Sequence, residues 1–172
     1  YMNKLIIIAI IIFAAFTRFI PHPPNFTPII AIGLFGGAYF QDRRLALLIP
    51  LIAMIIADAF LGFHETMVWV YGSLILISMV GILLQNRITL KNCTVATLGG
   101  SLLFFLVTNF GVWIISGFYE KSIAGLITCY SMALPFFYNT LAGSVVYSAI
   151  MFGGYVGLKN YLPDSVLDSI RK

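Results

Sequence analysis

Pro28-Ile29-Ile30-Ala31-Ile32-Gly33-Leu34-Phe35-Gly36-Gly37-Ala38-Tyr39-Phe40 is an unbroken apolar run, closed by the turn Gln41-Asp42-Arg43-Arg44. As a helix its 13 residues reach roughly 20 Å at 1.5 Å per residue, whereas a bilayer crossing takes about 20 residues. Whether this run counts as a span decides the topology. Counting it gives six spans, at about 4–20, 28–40, 45–62, 67–84, 94–117 and 132–158. Lys4, Arg43, Arg44, Arg87, Lys91, Lys159, Arg171 and Lys172 then share one side with both termini, and only Arg18 and Lys121 face the other. A five-span arrangement spoils that asymmetry. Basic residues in short loops mark the cytoplasmic side. The expectation is a multi-pass protein of the inner (plasma) membrane with cytoplasmic N- and C-termini. The short second span is expected to be tucked among other helices or preceded by a loop that dips into the membrane, with Gly33, Gly36 and Gly37 permitting close packing.

Composition agrees with this class. The 172 residues are 60% hydrophobic and 9% charged, with a mean hydropathy of +1.00. A soluble domain carries roughly 25% charged residues, so this chain cannot cover a water-facing surface and takes lipid as its solvent. The length suits one integral membrane domain over 1–172. The net charge of +4 comes without any basic cluster interleaved with aromatics, so membrane orientation explains it and a nucleic-acid partner is not expected. Lys4 followed by Leu5 to Phe16 resembles a secretory signal, but a small-x-small cleavage site is missing and an uncleaved first span is expected. Tyr1 reads as a residue added ahead of Met2, the expected start. Cys93 and Cys129 fall at opposite sides of the six-span arrangement, so no disulfide between them is expected.

After span one comes Pro21-His22-Pro23-Pro24-Asn25-Phe26-Thr27-Pro28. Four prolines in eight residues exclude a helix there, and Pro28 suits a first helical turn. Phe118 to Ser131 is mixed in character and reads as a short interfacial helix. The tail from Lys159 reads as an amphipathic turn begun by Pro163, with Val166, Leu167 and Ile170 apolar.

With alternating direction, the outer ends of the spans gather most of the unusual polar residues. Arg18, Asp58, Asn109, Trp69, Tyr71, Tyr138 and Asn139 lie in the outer half, and the loops add His22, Asn25, His64, Glu65, Tyr119, Glu120 and Tyr130. Intramembrane acids face the bundle interior or water. Asp58 therefore reads either as a ligand or ion contact or as a structural partner of Arg18, which could instead snorkel to the headgroups. Asn109 and Asn139 read as interhelical hydrogen-bonding groups or as groups orienting a ligand's polar edge, since an amide both donates and accepts. The outer aromatic residues suit an interfacial belt as well as a pocket. His22, Asp58, His64 and Glu65 are chemically able to bind a metal, but their spacing matches no metal motif, and metal-ion uptake would require the two histidines to converge with Asp58. No nucleophile-base set and no phosphate loop stand out, so neither an enzyme nor a cofactor is expected.

Two resemblances follow from these motifs. Arg18-x-x-Pro21-His22-Pro23-Pro24-Asn25-Phe26-Thr27-Pro28 and Thr108-Asn109 resemble an uncharacterised family of small bacterial membrane proteins over most of the chain. Ile32-Gly33-Leu34-Phe35-Gly36-Gly37, Pro50 and Ile56-Ala57-Asp58-Ala59-Phe60-Leu61-Gly62 resemble the glycine-rich second span and aspartate-x-x-x-glycine third span of substrate-binding (S) components of energy-coupling factor vitamin transporters. That resemblance implies an S-component-like all-α bundle of six transmembrane helices that binds or takes up a small molecule. The substrate-binding residues would be Arg18, Asn25, Asp58, Asn109, Tyr138 and Asn139. The segment Pro21, His22, Pro23, Pro24, Phe26 and Thr27 would be the gating loop, stiffened by proline so that less entropy is lost on closure. Implied partners are the bilayer, the solute, and energy-coupling membrane and ATPase subunits. The alanine-x-x-x-alanine pattern through which S components meet the membrane coupling subunit is missing, since Ala9, Ala14 and Ala15 lack that spacing. The alternative is a structural or accessory subunit of a larger membrane complex.

Overall fold

The computed structural model describes residues 2–161, and among these the only regular secondary structure is helix. The expected amphipathic turn at Pro163, and the charges Arg171 and Lys172, lie outside the described residues. Six α-helices follow in order: α1 Met2–Phe16, α2 Ile29–Tyr39, α3 Arg43–Leu61, α4 Met67–Leu83, α5 Leu90–Ile115 and α6 Ile123–Tyr161. One 3-10 turn, Thr17–Phe19, extends α1. Of these, α3, α5 and α6 are each long and apolar enough to cross a membrane. Dozens of large apolar side chains, Phe13, Phe60, Val68, Leu83 and Leu90 among them, point out of the bundle. In water such a surface would aggregate; this is the composition of a membrane protein.

The short helix α2 is the centre of the molecule. Every residue from Ile29 to Ala38 is buried, and α2 packs against all five other α-helices. A helix apolar on all sides has no solvent face to offer and belongs in the core. Its 11 residues extend only about 16 Å, so its end groups fall inside the bundle. Gln85 answers this at the C-terminal end by donating both amide hydrogens, to Gly37 O at 2.9 Å and Phe40 O at 2.7 Å. Those are orphan carbonyls that a helix end otherwise leaves unpaired. Close approach to α4 depends on two glycines. A Cβ on Gly37 would sit 2.8 Å from Gly81 Cα, and one on Gly81 would sit 2.5 Å from Leu34 O, so the two backbones touch where neither has a side chain.

The outer helices follow from simpler patterns. Ile7, Ile11, Ala14 and Ala15 form the buried stripe of α1, at the three- and four-residue spacing of one helix face. Asp42 caps α3 by accepting from Arg44 N at 2.8 Å, and Thr89 caps α5 by accepting from Asn92 N at 3.1 Å. In α3, Pro50 seats against Gly36 of α2. The sixth element differs from expectation: Phe118 to Ser131 is not a separate interfacial helix. The chain enters α6 at Ile123 and continues through Pro135 to Tyr161. Cys129 and Tyr130 explain this, because they pair with α5, while Thr128 bonds back to Ala124 of its own helix. Tyr130 OH donates to Leu106 O at 2.7 Å and Cys129 Sγ to Asn109 O at 3.5 Å. Both cysteines are free thiols.

Candidate functional site

The C-terminal ends of α1, α3 and α5 and the N-terminal ends of α2 and α4 meet at one end of the bundle, where two polar groupings form. The first lies between α1, α3 and α4. Arg18 Nη1 stands 2.6 Å from Asp58 Oδ1, and Tyr71 OH donates to Asp58 Oδ2 at 2.9 Å. The side chains of Arg18 and Asp58 are 13% and 3% exposed. Arg18 Nη1 also approaches Met54 Sδ, and Phe19 meets the edge of Phe60. Both carboxylate oxygens are therefore taken by protein donors. Burying a lone carboxylate in so apolar a bundle is prohibitive; a guanidinium and a phenol together make it tenable. Of the two roles open to Asp58, the geometry contains the structural pair with Arg18.

The second grouping lies beneath the proline-rich segment. A cavity of about 50 Å³ is lined by Asn25, Thr108, Asn109 and Thr140, with phenylalanines from α5 and α6 around them. Thr108 and Thr140 donate their hydroxyl hydrogens to Phe104 O and Phe136 O, four residues back, and Asn109 donates its amide to Phe105 O at 2.8 Å. The threonines have spent their hydroxyl hydrogens on their own helices, while the Asn25 and Asn109 amides keep N–H donors, so the lining offers both acceptor oxygens and amide donors. One water needs ~10–15 Å³ on this measure, so the cavity holds only a few water-sized groups with the segment closed.

The closing segment is held down on α6. Asn139 Nδ2 donates to Pro24 O at 2.9 Å, and the rings of Phe26 and Tyr147 lie 5.8 Å apart. Between them, a Cβ on Gly143 would sit 3.0 Å from Thr27 N and 3.1 Å from Phe26 Cα. Asn139, Gly143 and Tyr147 are spaced by four and share one helix face, which makes a track for the strap. Within it Phe26 N donates to Pro23 O and Thr27 N to Asn25 O, and Asn25 takes φ 64°, a left-handed conformation that asparagine tolerates well.

The six expected contact residues therefore separate. Arg18 and Asp58 pair with each other, Asn25 and Asn109 line the cavity, Asn139 holds the strap, and Tyr138 is 73% exposed on the outside of α6. Among the strap residues, Phe26 and Thr27 pack inward while Pro21, Pro23 and Pro24 stay exposed. Three participants were not among the expected contacts. Thr140 carries no sequence mark of a site, Thr108 stands in the sequence only as part of the Thr108-Asn109 motif, and Tyr71, suited by position to an interfacial belt, places its hydroxyl on Asp58. His22 Nδ1 lies 3.0 Å from Pro23 O and His64 Nδ1 lies 2.8 Å from Thr66 Oγ1. Among the described residues no three histidine, cysteine or acidic side chains gather.

A helical membrane protein with a strap-covered polar end is the class these features define. The chain belongs to a family of unknown function, DUF6580, which matches residues 1–165. This agrees with the resemblance to an uncharacterised family drawn from the proline-rich motif. No characterised protein and no solved structure gives a significant match, so the likeness to S components rests on the sequence motifs alone.

Proposed function

We propose that this protein binds, and takes up across the inner membrane, a small organic nutrient in the manner of a transporter S component, with its site at the end covered by residues 21–28. The observation that carries this reading is the strap itself: a proline-stiffened segment latched by Asn139 over a polar cavity formed by Asn25, Thr108, Asn109 and Thr140. A segment needed only to connect α1 and α2 has no reason to roof polar side chains in a lipid-soluble bundle. The mixed lining of hydroxyl and amide groups favours a neutral solute that both donates and accepts hydrogen bonds, such as a nucleobase-like or vitamin-like ring. With about 50 Å³ available, entry requires the strap to lift, and the Arg18–Asp58–Tyr71 grouping anchors its upstream end while it does so. All six helices count as spans in this reading, and the basic loops face the cytoplasm.

A panel of vitamins and nucleobases tests it by thermal unfolding of the detergent-purified protein. One chemical class should raise Tm, Asn109→Ala should weaken that shift about tenfold in ligand concentration, the loss of one hydrogen bond in a water-poor site, and Asn139→Ala should quicken ligand exchange. Absence of stabilisation by every compound in both the parent and the Asn139→Ala protein, where the latch is cut, overturns the reading. The alternative of an accessory subunit draws support from open small-residue positions on α6. A Cβ at Gly153, Gly154 or Gly157 would meet nothing within 4 Å, as on a helix face awaiting a partner. Stable co-purification with larger membrane subunits would favour it.

A further inference from the structure

A second cavity lies at the opposite end of the bundle. Between α5 and α6 runs an open groove of about 490 Å³, walled by Cys93 and Thr97 of α5 and by Val145, Phe152 and Val156 of α6, with Tyr39 of α2 at its floor. Thr97 donates to Ser148 at 3.1 Å within it, and the Tyr39 hydroxyl is the other polar group at depth. Most of the remaining wall is apolar. The mouth is different. Ile88, Thr89 and Leu90 line it, and Arg87 and Lys91 bracket those three in the chain. Val145, Ala149, Phe152 and Val156 form the α6 wall, and Lys159 follows Val156 by three residues, on the same face one turn on. Of the acids among the described residues only Asp42 lies at this end, and its carboxylate caps α3.

We infer that this groove is a binding site for one anionic phospholipid, an acyl chain lying between α5 and α6 and the headgroup phosphate held by Arg87, Lys91 and Lys159. Basic residues at the rim of an interhelical groove select acidic headgroups, and the largely apolar interior accepts hydrocarbon. A second copy of the chain is the rival occupant, because Ala149, Gly153 and Gly157 run beside the groove as a small-residue track. Two copies inserted in the same direction would meet across a two-fold axis, setting Arg87, Lys91 and Lys159 against their own counterparts. A phosphate removes that repulsion and a second copy creates it.

The test uses the full chain in detergent, with phosphatidylglycerol or phosphatidylcholine added and binding read by native mass spectrometry and by Tm. Phosphatidylglycerol should bind and raise Tm more than phosphatidylcholine does. Neutralising all three bases (Arg87→Gln, Lys91→Gln, Lys159→Gln) should weaken phosphatidylglycerol binding, by about fivefold per charge, without changing the lipid-free Tm, because all three side chains are exposed. Gly153→Leu, which has open space for its side chain, should block the groove and remove the bound lipid. Equal gains from both lipids, or undiminished phosphatidylglycerol binding in the triple variant, overturn the site. So does a Gly153→Leu protein that changes from dimer to monomer with its lipid binding intact, which would make the groove a contact between copies.

Discussion

Asp58 shows what a single residue does in this setting. Its side chain is 3% exposed, yet both oxygens are engaged, by Arg18 and by Tyr71. Removing one member strands the other in a low-dielectric interior. Asp58→Ala should therefore cost about 3–5 kcal/mol in detergent unfolding, whereas Arg18→Met combined with Asp58→Leu should recover much of that loss, as apolar replacement of a buried pair often does. A double-mutant cycle reads the coupling directly. Additive single losses would mean that the pair observed at 2.6 Å contributes nothing as a pair. Stability restored in the double variant, together with altered solute exchange, would tie the pair to strap movement. Gln85 illustrates the same logic without charge, because one amide satisfies two carbonyls at the end of α2.

At the scale of elements, α2 and α4 meet with their backbones in contact, and that contact tolerates no added atoms. Gly81→Leu should separate the helices and lower stability by about 3 kcal/mol or more, at the upper end of overpacking effects. Ser78 lies on the same interface, and its Oγ is the one buried side-chain oxygen without a hydrogen-bond partner among the described residues. Ser78→Ala should then leave stability within about 0.5 kcal/mol or raise it, since an unsatisfied hydroxyl is removed rather than a bond. Chemical unfolding of the two variants side by side checks both. If Gly81→Leu is silent, α2 is not gripped as tightly as its surroundings indicate. The continuity of α6 belongs to this scale too. Pro135 removes one backbone donor, but Cys129 and Tyr130 hold the preceding turns against α5, so the helix runs on where proline and mixed polarity alone suggest a break.

For the whole molecule, the proposed orientation rests on the placement of charge. Arg43, Arg44, Arg87, Lys91 and Lys159 lie at one end and Arg18 and Lys121 away from it, as the six-span arrangement expects, and the basic end should face the cytoplasm. In a background without Cys93 and Cys129, a cysteine at Gln41 should react with a membrane-impermeant maleimide only in opened membranes. One at Thr66 should react from outside in intact cells. The reverse pattern would invert the molecule. Much of this was legible in the chain itself. Apolar runs and turn residues located the first five helices to within a few positions, because lipid demands long apolar segments and water demands their interruption; the sixth begins at Ile123, well ahead of the expected 132. The shortness of the 13-residue run at Pro28–Phe40 allowed either a helix enclosed by others or a preceding loop that dips into the membrane, and the burial of α2 realises the first. The Arg18–Asp58 pairing was one of two readings that equal depth allowed. Other assignments needed three dimensions. Depth along a span says nothing about azimuth, the direction a side chain points around its helix. Arg18, Asn25, Asp58, Asn109, Tyr138 and Asn139 share a level but part into an ion pair, a cavity lining, a latch and an outward-facing ring. Helix content and polarity are local properties written residue by residue. The partner of each buried polar group is set by which helix faces pack together, and only the tertiary structure decides that.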